Sequence, residues 1–312
     1  MLTKKCVIQI SILVITGVQT VFGQQQFRSS DFGLIGKVES LQSVTVDYSM
    51  KIETKVSGFL DSEMFDSIYL KFDKQRSLVL RENYLNYRGK LGLFNQTEFQ
   101  YNFQNQIEKL QTILIQNGEE PRRITQLKTF FYLKNNLIRI DEYNSGRTTD
   151  QNWIVNYVYN GGNITEKVFW MEDAIFSTSK FEYDYNGEIL SEKSFHNNGV
   201  LGKTIQNEYN QFGQIEKKVV KSGNEMTRET FEYGTVYKSS TKITDKSGNT
   251  LRAEIFDKRG LVKEIQKINY QTNQVDSYQF YFELDNVGNW TKCEIRKNNI
   301  PTYITNRKIN YY

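Results

Sequence analysis

The chain is poor in the residues that most active sites and helices are built from. Its 312 residues include one histidine, His196, two cysteines, Cys6 and Cys293, and two prolines, Pro121 and Pro301. Alanine occurs only at Ala174 and Ala253. A helical protein of this size would use the best helix former freely, so helix bundles are excluded. The scarcity of His and Cys excludes histidine-based catalysis, Cys/His zinc centres and a disulfide scaffold. No cofactor or metal site is expected. Charge of neither sign dominates: 40 Lys+Arg stand against 36 Asp+Glu, a net of +4. Nucleic-acid binders carry a clustered basic excess, so nucleic acid is not an expected partner. Aromatic side chains, by contrast, are abundant at 14%, and they favour strands.

The first residues read as a secretory leader. Lys4 and Lys5 precede an uncharged stretch from Cys6 to Phe22 that holds Val7, Ile8, Ile10, Ile12, Leu13, Val14 and Ile15. Cleavage is expected after Gly23. The stretch is short for a membrane anchor and is interrupted by Gln9, Thr16, Gln19 and Thr20. The expected organisation is a signal peptide over 1–23, a flexible linker over 24–32 and a single β-repeat domain over 33–312. The product is exported to the periplasm, the cell surface or the medium.

One short frame recurs through that domain. It appears at Tyr183-Asp184-Tyr185-Asn186-Gly187-Glu188-Ile189, Tyr209-Asn210-Gln211-Phe212-Gly213-Gln214-Ile215, Phe256-Asp257-Lys258-Arg259-Gly260-Leu261-Val262 and Leu284-Asp285-Asn286-Val287-Gly288-Asn289-Trp290. Weaker copies begin at Phe72, Tyr101, Tyr132 and Tyr159. The frame is that of a hairpin turn. The Asp or Asn side chain accepts backbone N–H groups two residues on. The Gly takes the left-handed conformation that closes a type I turn with a bulge. Asp184, Gly187, Asn210, Gly213, Asp257, Gly260, Asp285 and Gly288 are thus structural turn residues.

The closing position falls at 76, 105, 136, 162, 187, 213, 260 and 288, with a degenerate copy expected near Tyr237. Second turns lie between, at Arg88-Gly89, Asn117-Gly118, Ser145-Gly146, Asn198-Gly199, Ser222-Gly223, Ser247-Gly248, Thr272-Asn273 and Asn298-Asn299. The runs between turns alternate with period two, most cleanly over Val44 to Val56 and over Tyr278, Phe280, Phe282 and Leu284. The expected fold is all-β: a long antiparallel meander of about 18 strands, coiled into a half-barrel, a spiral or a closed barrel.

The frame resembles the YD (RHS-type) repeats of secreted bacterial proteins, with Phe181-Glu182-Tyr183-Asp184-Tyr185-Asn186-Gly187 as the best copy. The opening Gly33-Leu34-Ile35-Gly36-Lys37-Val38-Glu39-Ser40-Leu41 resembles the start of small secreted repeat proteins of the Bacteroidota. The resemblance covers about residues 66–297. It implies a coiled repeat sheet and offers no catalytic residues. Large RHS proteins enclose a toxin, but here the last repeat leaves only a short tail, so that function does not carry over.

Candidate sites are few. His196 stands at the Asp/Asn position of a turn. Asp184, Asp245, Asp257 and Asp285 recur at one repeat position, as turn caps or as a ladder for a hard cation. Glu166, Glu192, Glu216 and Glu264 follow turns at similar offsets and are expected in cross-strand ion pairs on the wet face, with a glycosidase acid pair as the rival reading. Trp153, Trp170 and Tyr281 are the candidate binding aromatics, with Tyr69, Tyr84, Tyr87 and Tyr157 behind them. Trp290 takes the Ile189/Ile215 position and is expected in the core. Asn95, Asn163 and Asn289 begin N-x-Thr sequons that turn composition explains. The leading expectation is a non-enzymatic secreted or cell-envelope protein presenting a surface to a protein or polysaccharide. The alternatives are an outer-membrane β-barrel and a carboxylate-dependent glycan hydrolase.

Overall fold

The computed structural model describes residues 34–47, 66–87, 90–115, 123–145, 150–235, 237–269, 272 and 274–312. The leader, the linker and the alternating run beyond Asp47 lie outside the described residues. So do the turns expected at 88–89, 117–118 and Gly146. The described residues form twenty strands. The first ten are β1 (Val38–Asp47), β2 (Ser67–Phe72), β3 (Leu78–Tyr87), β4 (Lys90–Tyr101), β5 (Ile107–Leu114), β6 (Arg123–Leu133), β7 (Asn136–Ser145), β8 (Asp150–Asn160), β9 (Asn163–Met171) and β10 (Ala174–Tyr183). Then come β11 (Ile189–His196), β12 (Leu201–Tyr209), β13 (Ile215–Ser222), β14 (Glu225–Tyr233), β15 (Lys238–Thr244), β16 (Thr250–Phe256), β17 (Val262–Asn269), β18 (Gln274–Leu284), β19 (Trp290–Lys297) and β20 (Ile300–Tyr311).

Each strand pairs antiparallel with its sequence neighbours, and β1 pairs with both β2 and β20. The meander therefore closes into a barrel. Twenty strands about 4.8 Å apart and tilted by about 40° make a round ring roughly 40 Å across.

The turns alternate between two rims. The repeat-frame turns, from Asp73–Ser77 through Asp285–Asn289, all lie on one rim, called here the tyrosine rim. Their local chemistry is as the sequence implies. In the turn after β10, Asp184 Oδ1 accepts the amides of Asn186 at 2.8 Å and Glu188 at 2.9 Å. Gly187 sits at φ +87°, and the pairing of β10 with β11 slips by one residue between Glu182 and Tyr183, which is the bulge. The frame holds even without glycine, since Arg76 and Asn105 take φ of 69° and 60°.

Two turns depart from the expected positions. The corner after β6 closes at Lys134-Asn135, both at positive φ, and Asn136 already opens β7. Here a two-residue turn replaces the longer frame. The strand count exceeds the expected eighteen partly because Glu172-Asp173 is a turn between β9 and β10. It has no Gly or Asn to announce it, and Glu172 carries the positive φ of 55°. The degenerate copy is the corner Gly234 to Tyr237, closed by Gly234 N donating to Tyr237 O at 2.8 Å.

A ladder of tyrosine hydroxyls binds this rim together. Tyr101 donates to Leu78 O, Tyr132 to Ile107 O, Tyr159 to Leu137 O, Tyr183 to Ile164 O, Tyr209 to Ile189 O and Tyr233 to Ile215 O, at 2.7–2.9 Å. Each tyrosine is the last or next-to-last residue of an even-numbered strand, and each acceptor is the first or second residue of the odd-numbered strand before it. The turns join β4 to β5 and β6 to β7; the hydroxyls join β4 to β3 and β6 to β5. Every gap that a turn leaves open along this stretch is thus bridged. Phe256 lacks the hydroxyl, and Lys238 Nζ lies 4.9 Å from its ring centre instead.

The face of the sheet that carries these tyrosines holds most of the buried apolar side chains. Phe72, Leu78, Phe99, Ile107, Phe130, Ile140 and Val155 form one cluster; Ile265, Tyr278, Phe280, Trp290, Cys293 and Ile295 form another. Trp290 is in the core as expected, with the Arg307 guanidinium 3.4 Å from its ring centre. On a closed sheet, inward side chains converge and outward ones splay, so this dry face is the lumen side.

The seam between the chain ends is centred on Asn289, which is buried. Asn289 Oδ1 accepts Ile35 N at 2.6 Å, and its Nδ2 donates to Ile35 O at 2.8 Å and to the Tyr311 hydroxyl at 2.7 Å. Tyr311 in turn donates to Asp285 Oδ2.

Candidate functional site

The lumen wall is graded. Near the tyrosine rim it is apolar; toward the opposite rim it becomes polar and charged. Its most elaborate part spans β6 to β9. Register places Lys128 opposite Glu142, Glu142 opposite Trp153, and Trp153 opposite Met171. Lys128 Nζ meets Glu142 Oε2 at 2.8 Å. Gln126 Nε2 donates to Glu142 Oε1 at 2.9 Å and to Asn144 Oδ1 at 3.2 Å, and Asn144 Nδ2 donates to Glu142 Oε1 at 2.9 Å.

Beside this network stands an aromatic cluster. Trp153 meets Phe169 edge-on at 4.6 Å between ring centres, and Phe176 lies 5.8 Å from Phe169 and 6.2 Å from Trp153. Trp153 Nε1 donates to Gln151 Oε1 at 3.3 Å. One pairing step further toward the tyrosine rim, Lys167 shares the face with Tyr157, Ser179 and Ser194. Burial lowers the Lys167 pKa and Lys128 lowers it further, while Glu192 opposes both. Burial pushes Tyr157 up to about 12, with Tyr159 adding to the rise.

The candidate aromatics are not brought together. Trp153 faces the lumen, whereas Trp170, opposite Ile154, faces outward with its Nε1 buried and unpartnered. Tyr281 is also outside, on β18, half-exposed beside the Arg296 guanidinium. Tyr69 and Tyr84 face outward on β2 and β3, and Tyr84 donates to Glu82 at 2.6 Å. The Tyr87 side chain lies outside the described residues.

Other expectations need correction. Asp245 caps a turn on the rim opposite Asp184, Asp257 and Asp285, so the aspartate ladder does not line up. Each of these carboxylates accepts amides of its own turn. Nor do Glu166, Glu192, Glu216 and Glu264 form ion pairs among the described residues. Glu192 lies on the lumen face and Glu264 on the outer one, while Glu216 is the extra residue of a bulge. Cross-strand pairs on the wet face are instead Glu182–Lys193 at 2.7 Å, Glu208–Lys217 at 2.5 Å and Glu283–Lys292 at 2.6 Å. The sequence signal for them is the Glu immediately before the frame's first residue. His196 is a turn residue, as expected, and its ring packs where a Cβ on Gly202 would stand, 2.5 Å from Nε2. Asn289, read as a chance sequon, is a seam residue; nothing local in the sequence announces this, because its partners are 254 and 22 positions away.

No family model matches the chain, and no curated protein matches it. Among solved structures, a porin-like protein from Bacteroides uniformis overlaps 89% of this chain and 99% of its own, at 11% identity and a TM-score of 0.36. A second porin-like protein, from Bacteroides vulgatus, gives 11% identity over 88% of this chain and 98% of its own, with a TM-score of 0.27. The TcdB2–TccC3–Cdc42 structure gives 10% identity and 0.32, over 77% of this chain but only 16% of the longer one. Overlaps this loose say nothing of activity.

Proposed function

We propose that the chain is an exported, non-enzymatic β-barrel of the cell envelope whose lumen wall binds an extended partner, a polysaccharide above all. The observation that carries this is the patch around Trp153. Edge-packed aromatic rings lie beside a network of amides, a carboxylate and a lysine, the combination that gives a sugar an apolar face to stack on and fixed polar groups for its hydroxyls. The leader supports export. Four lumen acids support binding over hydrolysis, since Glu142, Glu229, Glu254 and Asp276 are each held by a base on the same wall, while Glu192 on that wall forms no ion pair among the described residues.

Titration of the purified protein with envelope polysaccharides, read by tryptophan fluorescence, tests the proposal. Trp153→Ala is expected to abolish a response that Trp170→Ala leaves intact. Failure of every envelope glycan and protein fraction to bind overturns it.

One observation favours an integral outer-membrane barrel as a second reading: the sheet closes without a free edge, as a sheet in lipid must. Against it stand the outward charges at mid-strand, among them Arg139–Asp141, Lys180, Lys242, Glu264 and Glu294–Arg296. A lysine or arginine facing lipid at the bilayer midplane costs about 2–4 kcal/mol. Heat-modifiable migration in detergent would promote this reading, and release by osmotic shock would remove it.

A further inference from the structure

Charge on the lumen wall is uneven in sign. Four of its acids hold four of its bases, as Lys128–Glu142, Lys218–Glu229, Arg252–Glu254 and Lys297–Asp276. Register puts six more bases on the same wall: Arg81, Lys167, Lys203, Lys238, Lys267 and Arg307. Against them, among the described side chains, stand Glu192 and, close to the rim opposite the tyrosines, Glu225. At that rim Arg123 and Asp66 offset each other in sign. Six bases against two acids leave an excess of four positive charges on this one surface. The whole chain nets +4, so the remaining charges cancel and the excess belongs to the lumen wall.

The six bases are spread from β3 round to β20, so an object inside the ring meets the same sign on every side. A concave wall of one sign focuses its field inward and concentrates counter-charge there. Lys203 is exposed. Arg81 is steered by its neighbour, since its Nε donates to Asn83 Oδ1 at 3.1 Å. The guanidinium is a planar fork suited to carboxylates. Lys167 lies on the Trp153 side of the wall, opposite Tyr157 and Ser179, so charge and stacking surface occur together. Side chains such as Asn83–Asn95 and Ser179–Ser194 add neutral hydrogen-bonding partners between the charges.

We propose that the lumen wall selects acidic polysaccharides, chains that carry anionic groups along their length, over neutral ones. This deepens the glycan reading above and rests on it. The sugar rings meet the aromatic and amide groups, and the anionic substituents meet the excess positive charge.

Calorimetric titration of the full exported chain with polygalacturonate, and with its fully methyl-esterified form, tests this. The ester removes the charge and keeps the sugar chain. The acid form is expected to bind more tightly, and added salt is expected to close the gap. The double variant Lys167→Gln, Lys203→Gln is expected to weaken binding of the acid form roughly tenfold, the effect of two charges acting at about 8 Å in a partly aqueous wall. Glu192→Gln raises the excess by one charge and is expected to tighten binding, a gain that misfolding cannot mimic. The double variant Lys180→Gln, Lys242→Gln changes net charge as much as the inner pair does, but on the outer wall. It is expected to bind as the parent does. Circular dichroism and gel filtration establish that the variants are folded. Equal affinity for acid and ester overturns the inference and leaves the glycan reading standing; failure of these and all other glycans to bind removes both. Equal losses in the inner and outer pairs, or double-stranded DNA bound as tightly as polygalacturonate, reduce the effect to bare charge and also overturn it.

Discussion

Replacement of Tyr132 by phenylalanine isolates one rung of the hydroxyl ladder. The ring remains, so packing against the lumen cluster is kept, and only the bond to Ile107 O at 2.8 Å is lost. A net hydrogen bond is worth about 1 kcal/mol, and a buried carbonyl deprived of a partner costs about 1–3 kcal/mol. Ile107 is fully buried, so the loss belongs above the bare bond value, at about 1–2 kcal/mol. With a urea m-value of roughly 3 kcal/mol/M for a chain of this size, the midpoint falls by about 0.3–0.7 M at unchanged slope. Tyr185→Phe is the control: same chemistry and same rim, but the ring is exposed, and the midpoint is expected to stay within about 0.5 kcal/mol of the parent. Equal effects of the two substitutions would refute the ladder as a source of stability. A double variant of Tyr132 and Tyr159, which lie on alternate strands, reports through its departure from additivity whether rungs reinforce each other.

Tyr157 and four of the ladder tyrosines give the barrel an alkaline limit. Burial raises Tyr157 to about 12 and raises Tyr159, Tyr183, Tyr209 and Tyr233 in the same direction. The folded state thus keeps protons that the unfolded chain releases near pH 10. The contribution of these tyrosines is fully present below pH 10 and is expected to be lost from pH 10 to 12, as urea midpoints across that range will show. Cys293 is fully buried, and desolvation pushes its thiol up to about 12. It is expected to resist a thiol reagent at neutral pH and to react on unfolding. Gly187→Ala places a Cβ at φ +87°, where nothing obstructs it sterically but the backbone conformation is strained. It is expected to cost about 1–2 kcal/mol by urea melts, with Gly187→Asn milder.

The legible part of this fold is local. Asp184 and Gly187 announce their turn because two side-chain bonds and one positive φ, all within five residues, decide it. The turn at Glu172-Asp173 carried no such mark; there the pairing of the flanking strands imposes a left-handed residue that the local sequence does not favour. Non-local consequences were hidden. The tyrosine of the frame reads as a strand aromatic, and its hydroxyl's acceptor, about twenty residues back, emerges only once neighbouring hairpins lie side by side. The candidate site was legible as composition and not as place. Trp153 and Trp170 look alike in sequence, yet the two-residue period sends them to opposite faces. The network beside Trp153, built on Lys128 and Glu142, comes from the two strands before its own.

The contacts between β1 and β20, clasped by Asn289 and Tyr311, have a bearing on how the protein is made. All other pairings join strands that follow one another, so each hairpin can form soon after it is extruded. The final junction has to wait for the last dozen residues. Until they arrive, the nascent ribbon carries two bare hydrogen-bonding borders, each able to recruit another molecule. Premature termination anywhere upstream therefore yields a product prone to clumping, and synthesis of the intact chain calls for a chaperone or for rapid completion.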